Sequence, residues 1–152
     1  MKQTPLMQQI QEKMKPGIIT LHGFLGDDSR NLVDILVDDE AEVRRLGLTH
    51  RRIAERMSEL RQCGEQGLGY FLSVAPHFEV KVDSVRGKLS CPFGHPGMFQ
   101  KRNTTVRNVK MEREITYTDL NIHLIDEHGF YEGEESPFRL DPRELATIIG
   151  VE

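Results

Sequence analysis

The chain has 152 residues, 38% of them apolar and 29% charged, with two cysteines and a formal net charge of −4. Such a composition supports a core of its own and excludes a collagen-like, disordered or disulfide-framed protein. No apolar run approaches the roughly 18 residues of a membrane span, and the polar stretch from Met1 to Lys15 has no signal-peptide core, so a cytoplasmic protein with reduced thiols is the expectation.

The first expected element is a helix from Thr4 to Lys15, with Leu6, Ile10 and Met14 on one stripe and Pro16-Gly17 ending it. Ile18 to Leu21 is a β-branched run that suits a short strand. Gly23 and Gly26 break the chain, and Asp27, Asp28 and Ser29 are cap candidates for a helix from about Ser29 to Leu46. Gly47 is placed to end that helix. Thr49 then caps a second one, stapled by Leu48 and Ile53, continued by Met57 and Leu60, and closed by Gly64. The short loop between the two helices predicts an antiparallel helical hairpin. Gly64 to Gly69 is the expected hinge between a mainly helical half, 1–69, and a strand-rich half, 70–152, within one compact unit.

In the second half the period changes. Phe78, Val80, Val82 and Val85 are interleaved with polar residues, and Met98 to Asn108 and Arg113 to Tyr117 are further extended stretches. Thr118 or Asp119 caps a helix carrying Leu120, Leu124 and Ile125, with Gly129 at its end. Asp141 and Pro142 open a last helix. The fold class is therefore α+β: an N-terminal helical hairpin followed by a small antiparallel strand–strand–helix (ββα-like) unit.

Charge is uneven along the chain. Arg86, Lys88, Lys101, Arg102, Arg107, Lys110 and Arg113 face a single acid, Glu112, in the same segment, whereas the chain from Asp119 onward is acidic apart from Arg139 and Arg143. Such blocks are usually solvated faces or face one another within the fold. The sharper reading is a phosphate-binding strand surface formed by Lys101, Arg102, Arg107, Lys110 and Arg113, with Phe99 and Tyr117 for stacking.

Four side chains form two ligand pairs. Cys91-Pro92-Phe93-Gly94-His95 puts a thiol and an imidazole four residues apart in a Pro/Gly-rich turn, and His123 and His128 lie five apart near a helix end. A turn with two ligands, a hairpin and a helix with two more is the arrangement of zinc modules, and Cys91, His95, His123 and His128 suffice for a tetrahedral N/S shell. Four protein ligands favour a structural over a catalytic zinc site. Residues five apart on a regular helix diverge by about 140°, so the expectation is that the last turn tightens or unwinds to bring His123 and His128 together. Asp119 or Asp126 is placed to take the second ring proton of a ligand histidine. The alternative use of the same residues is a small buried Cys91, a turn residue His95 and a hydrogen-bonded His123.

Other features are weaker. His22-Gly23-Phe24-Leu25-Gly26 is like the oxyanion loop of α/β-hydrolases, but there is no G-x-S-x-G elbow. Leu48 to Met57 reads like the first helix of a helix-turn-helix, yet Ser58 to Gln62 continues that helix and leaves no recognition helix. Cys63 has no histidine near it and no assigned role.

The segments Cys91 to Gly97, Thr118 to Phe130 and Ser136-Pro137-Phe138-Arg139, extended back through Leu21 to Gly26, resemble a family of small uncharacterised bacterial cytosolic proteins with no assigned activity. The resemblance implies a bacterial cytosolic setting and no mechanism. The leading expectation is a binding or regulatory protein with a structural zinc site and a protein partner rather than nucleic acid or membrane. A metal-dependent enzyme built on three of the four ligands, with Glu127 or Asp126 as general base, is the second, and a nucleic-acid-binding module the third.

Overall fold

In the computed structural model, which describes residues 2–151, Thr4 accepts a hydrogen bond from the Met7 amide and Pro5 takes the first helical position, so α1 spans Pro5–Lys13. Ile10 and Met14 are buried along its stripe, whereas Leu6 is largely exposed. Residues 18–21 form turns rather than a strand, and Ile18 and Leu21 stand in solvent. Among the described residues no strand lies beside this β-branched run, since the sheet is made of residues 72–118 alone.

Helix α2 spans Leu32–Arg45 and starts later than the Asp27–Ser29 cluster suggests. Asp28 is held by Arg30 and by the Glu134 amide, so it is not free to cap. The first amides of α2 are satisfied from α1 and the segment before it instead: Gln11 Oε1 accepts from Leu32 N and Gln3 Oε1 from Val33 N. Helix α3, His50–Glu65, is capped by Thr49 as its sequence implies. Gly64 does not close it. The glycine lies inside the helix, and a Cβ there would stand 2.6 Å from Val80 Cγ1, so its role is close approach of helix to strand.

Strands β1 (Leu72–Val74), β2 (Phe78–Ser90), β3 (Met98–Asn108) and β4 (Arg113–Thr118) form an antiparallel meander in the order β1-β2-β3-β4. Between Ser84, paired with Arg102, and Lys88, paired with Gln100, the register of β2 on β3 shifts. Helix α4, Asp119–His128, begins with a capping box in which Thr118 and Asn121 bond reciprocally, and ends at Gly129 in the left-handed conformation. Helix α5, Pro142–Ile149, is capped by Asp141.

The fold is thus α+β, with five helices and a four-stranded antiparallel sheet among the described residues. The expected helical hairpin takes a different form: α2 and α3 are consecutive, but α2 packs on α1 and α5, while α3 packs on α4 and the sheet. Two apolar clusters result. One joins Ile53, Met57 and Leu60 of α3 to Phe78, Val80, Val106 and Tyr117 of the sheet and to Leu145 and Ile149 of α5, so it crosses the expected boundary near residue 69. The other gathers Ile10, Met14, Leu32 and Ile35 with Leu120, Leu124, Phe130 and Cys91. Helix α4 lies between them, giving Ile125 to the first and Leu120 and Leu124 to the second.

Candidate metal centre

The β2–β3 connection carries Cys91 and His95, and α4 carries His123 and His128. Antiparallel pairing of β2 with β3 fixes the connection at one end of the sheet, and a tight turn, in which Gly94 N donates to Cys91 O, shapes it. Packing of α4 on the same cluster as Cys91 brings the helix against this turn.

The ligating atoms of Cys91, His123 and His128 all lie within 4.8 Å of one another. Cys91 Sγ is 3.5 Å from His128 Nε2. The His95 ring is 4.7 Å from that of His128 and 5.0 Å from that of His123, centroid to centroid. His95 stands outside the tight group of three and is exposed, whereas Cys91 is buried and both helical histidines are half-buried. Three of the four residues singled out from the sequence therefore bring their donor atoms together, and the ring of the fourth, His95, lies beside them. The helix remains helical through His128, yet the His123 and His128 rings are 5.4 Å apart. The two imidazoles swing toward the same side of α4, and no unwinding before Gly129 is needed.

Two phenyl rings support the histidines. Phe93 stacks on His128 at 4.0 Å and an interplanar angle of 8°, and Phe99 lies 4.4 Å from His123. Phe93 also meets Phe130 edge to face. These contacts hold the imidazole planes in place of the carboxylates expected from the sequence. Asp119 is engaged by Arg102 and Arg61, and Asp126 faces Arg51 at 3.8 Å. The sequence signal for Phe93 was its position inside the ligand turn. Phe99 carried no such signal, since its approach to His123 is made by tertiary packing.

Burial, with the neighbouring His95, holds His123 below its ordinary imidazole range, and burial with His95 and His123 pushes His128 down to about 4. Both rings are therefore neutral at pH 7, the state in which imidazole offers a lone pair to a metal. His123 Nε2 is buried without a hydrogen-bond partner. The group is therefore chemically able to hold a metal ion through one sulfur and two nitrogens, and the His95 ring stands next to both histidines of the group.

Other candidate residues fall elsewhere. Tyr117 is buried, with its hydroxyl donating to Met57 O, so it presents no ring for stacking on a surface ligand. Arg102 is paired with Asp119 and Glu65, Arg107 with Glu114, and Arg113 with Glu144. The basic and acidic blocks thus face each other in part within the fold. His22 is exposed, and Cys63 is a free exposed thiol on α3. His50 is not a plain surface residue: it is half-buried, and its Nδ1 lies 2.9 Å from the Tyr131 hydroxyl. Comparison with family models, curated proteins and solved structures yields no match to this chain.

Proposed function

We propose that the chain is a binding or regulatory protein whose β2–β3 turn is pinned to α4 by a structural zinc ion, with Cys91, His123 and His128 as ligands and His95 as the fourth. The observation that carries this reading is the 3.5 Å separation of Cys91 Sγ from His128 Nε2. Bonds of about 2.3 Å to sulfur and about 2.05 Å to nitrogen at a tetrahedral angle put those two ligands about 3.6 Å apart. The unpartnered His123 Nε2 supports the same reading, because a buried nitrogen with no protein partner lacks the compensation that burial requires. One thiolate with imidazoles suits zinc better than calcium or magnesium, which take oxygen ligands. The site needs Cys91 reduced, which accords with a cytoplasmic setting.

A protein partner fits better than nucleic acid. Arg102, Arg107 and Arg113 already have acidic neighbours, so a phosphate backbone would have to compete for them.

Elemental analysis of protein purified without a metal-affinity tag, paired with melting in the presence of a chelator, tests the metal reading. About one equivalent of zinc and a chelator-sensitive melting temperature are expected. Trace metal only, with melting unchanged by chelator, would overturn it.

A further inference from the structure

The four donors of the centre are not equally held. Cys91 is buried at the edge of an apolar cluster. His123 and His128 are half-buried on α4, each against a phenyl ring. His95 is exposed, as are Gly94, Pro96, Gly97 and Met98 around it. Gly94 and Gly97 hold φ values of 88° and 99°, and a Cβ built on either would meet nothing within 4 Å. The segment that carries His95 therefore stands in open space. Swinging its imidazole away would give up only its ring contacts with His123 and His128, whereas moving any of the other three would break a contact with the apolar cluster.

Charge points to what would take its place. A divalent ion with one thiolate and two neutral imidazoles keeps a net charge of about +1. The acids near the centre offer little compensation, since Asp119 is paired with Arg102, Asp126 faces Arg51, and Glu127 is exposed, where solvent screens its charge. An anionic donor gains more at such a centre than a second neutral ring does, and sulfur is the softer choice for zinc.

Resting on the metal reading, we infer that His95 is an exchangeable ligand on the solvent side and that the metal accepts a small anionic sulfur donor in its place. The centre then has the form of three protein ligands and one open position, the form that catalytic and ligand-binding zinc sites share. His95 acts as a tethered competitor for that position. It lowers the apparent affinity for an external thiolate by the fraction of time that it occupies the metal.

The test uses the full-length protein loaded with cobalt(II), whose absorption reports its ligands, with 2-mercaptoethanol as the probe. His95→Ala should retain about one equivalent of cobalt and bind the thiol saturably, with added sulfur-to-cobalt charge-transfer absorption. The parent should show the same change at a thiol concentration about tenfold higher, the cost of displacing the tethered ring. A folded His95→Ala that no longer holds cobalt would overturn the inference, because His95 would then be an obligatory ligand of a closed site. A loaded variant whose spectrum ignores the thiol, or from which the thiol strips the metal, would overturn it as well. Failure of the parent itself to take up cobalt would remove the metal reading along with it, so the two failures are told apart by the parent alone.

Discussion

Helix α4 carries a buried polar cluster at each end, and the two are finished differently. At its amino-terminal end the Glu132 carboxylate accepts from Asn121 Nδ2 and from Ser136 Oγ, both at 2.9 Å. Asn121 Oδ1 in turn accepts from the Thr118 amide and hydroxyl, both at 3.0 Å. At the carboxyl-terminal end Cys91, His123 and His128 converge with His123 Nε2 left unpaired. Burying a polar group without a partner costs on the order of 1–3 kcal/mol. The Glu132 cluster is thus closed by protein donors, whereas His123 Nε2 in the second cluster, like Asp119 Oδ1 at the start of the helix, has no hydrogen-bond partner among the described residues. Asp119 Oδ1 still faces the Arg61 guanidinium at 3.9 Å, whereas His123 Nε2 stands in a group of metal-ligating side chains, and that difference is the reason to treat the second cluster as a candidate binding centre.

The largest expected effect separates the two ends outright. His123→Ala should lower the melting temperature far more than His22→Ala, since His22 is exposed and surface substitutions cost under about 0.5 kcal/mol. In zinc peptides metal binding supplies on the order of 10 kcal/mol of folding free energy. Here α3 and the sheet share a core remote from the site, so the loss should be partial. Chelator should reproduce the His123→Ala effect in the parent and add nothing in the variant.

Glu132→Ala should come next, at about 3 kcal/mol, because it strands the Asn121 and Ser136 donors in a buried site. Its effect should be the same with and without chelator. A chelator-dependent effect would mean that the two ends of α4 are energetically one unit.

The ends should also respond oppositely to pH. Burial raises the Glu132 carboxyl from 4.5 to about 7, partly offset by Ser136 and Asn121. Because the folded value lies above the unfolded one, the folded protein retains a proton that the unfolded chain has released. Stability from this group is therefore full below pH 4.5 and lost as pH rises to about 7. Metal held by histidine behaves the other way, since acid protonates the ligands and releases it. In chelator, denaturant melts of the parent against Glu132→Gln should show the parent's relative advantage shrinking across that window by on the order of 3 kcal/mol.

The smallest effect concerns the phenyl support. Phe93→Ala removes the ring stacked on His128 and should weaken metal binding by about three- to tenfold, the equivalent of an aromatic contact of roughly 0.5–1.5 kcal/mol. A competitive titration with a chromophoric chelator measures it. No change would mean that the imidazole plane is set by the metal alone.

What the sequence made legible follows the range of the interactions. Thr49, Thr118 and Asp141 cap helices through bonds to residues three positions on, and Gly129 ends α4, all within one turn of chain. The ligand residues were legible because cysteine and histidine paired at short spacing are chemically distinctive. The features that escaped are long-range. Gln11 of α1 and Gln3 just before that helix cap α2, and Gly64 answers the pressure of Val80. Ile18 to Leu21 has strand composition without a strand to pair with, and β1 forms on three residues because β2 supplies its edge. The Glu132 cage joins α4 to a loop beyond it, and no local pattern announces that union.

The central claim is that one sulfur and the α4 imidazoles share a metal. X-ray absorption at the zinc edge of the loaded protein tests it most directly. The account predicts one sulfur at about 2.3 Å and nitrogen neighbours at about 2.0–2.1 Å, with the sulfur shell lost in Cys91→Ser. A shell of oxygen and nitrogen alone in the parent, or a sulfur shell that survives Cys91→Ser, would contradict it.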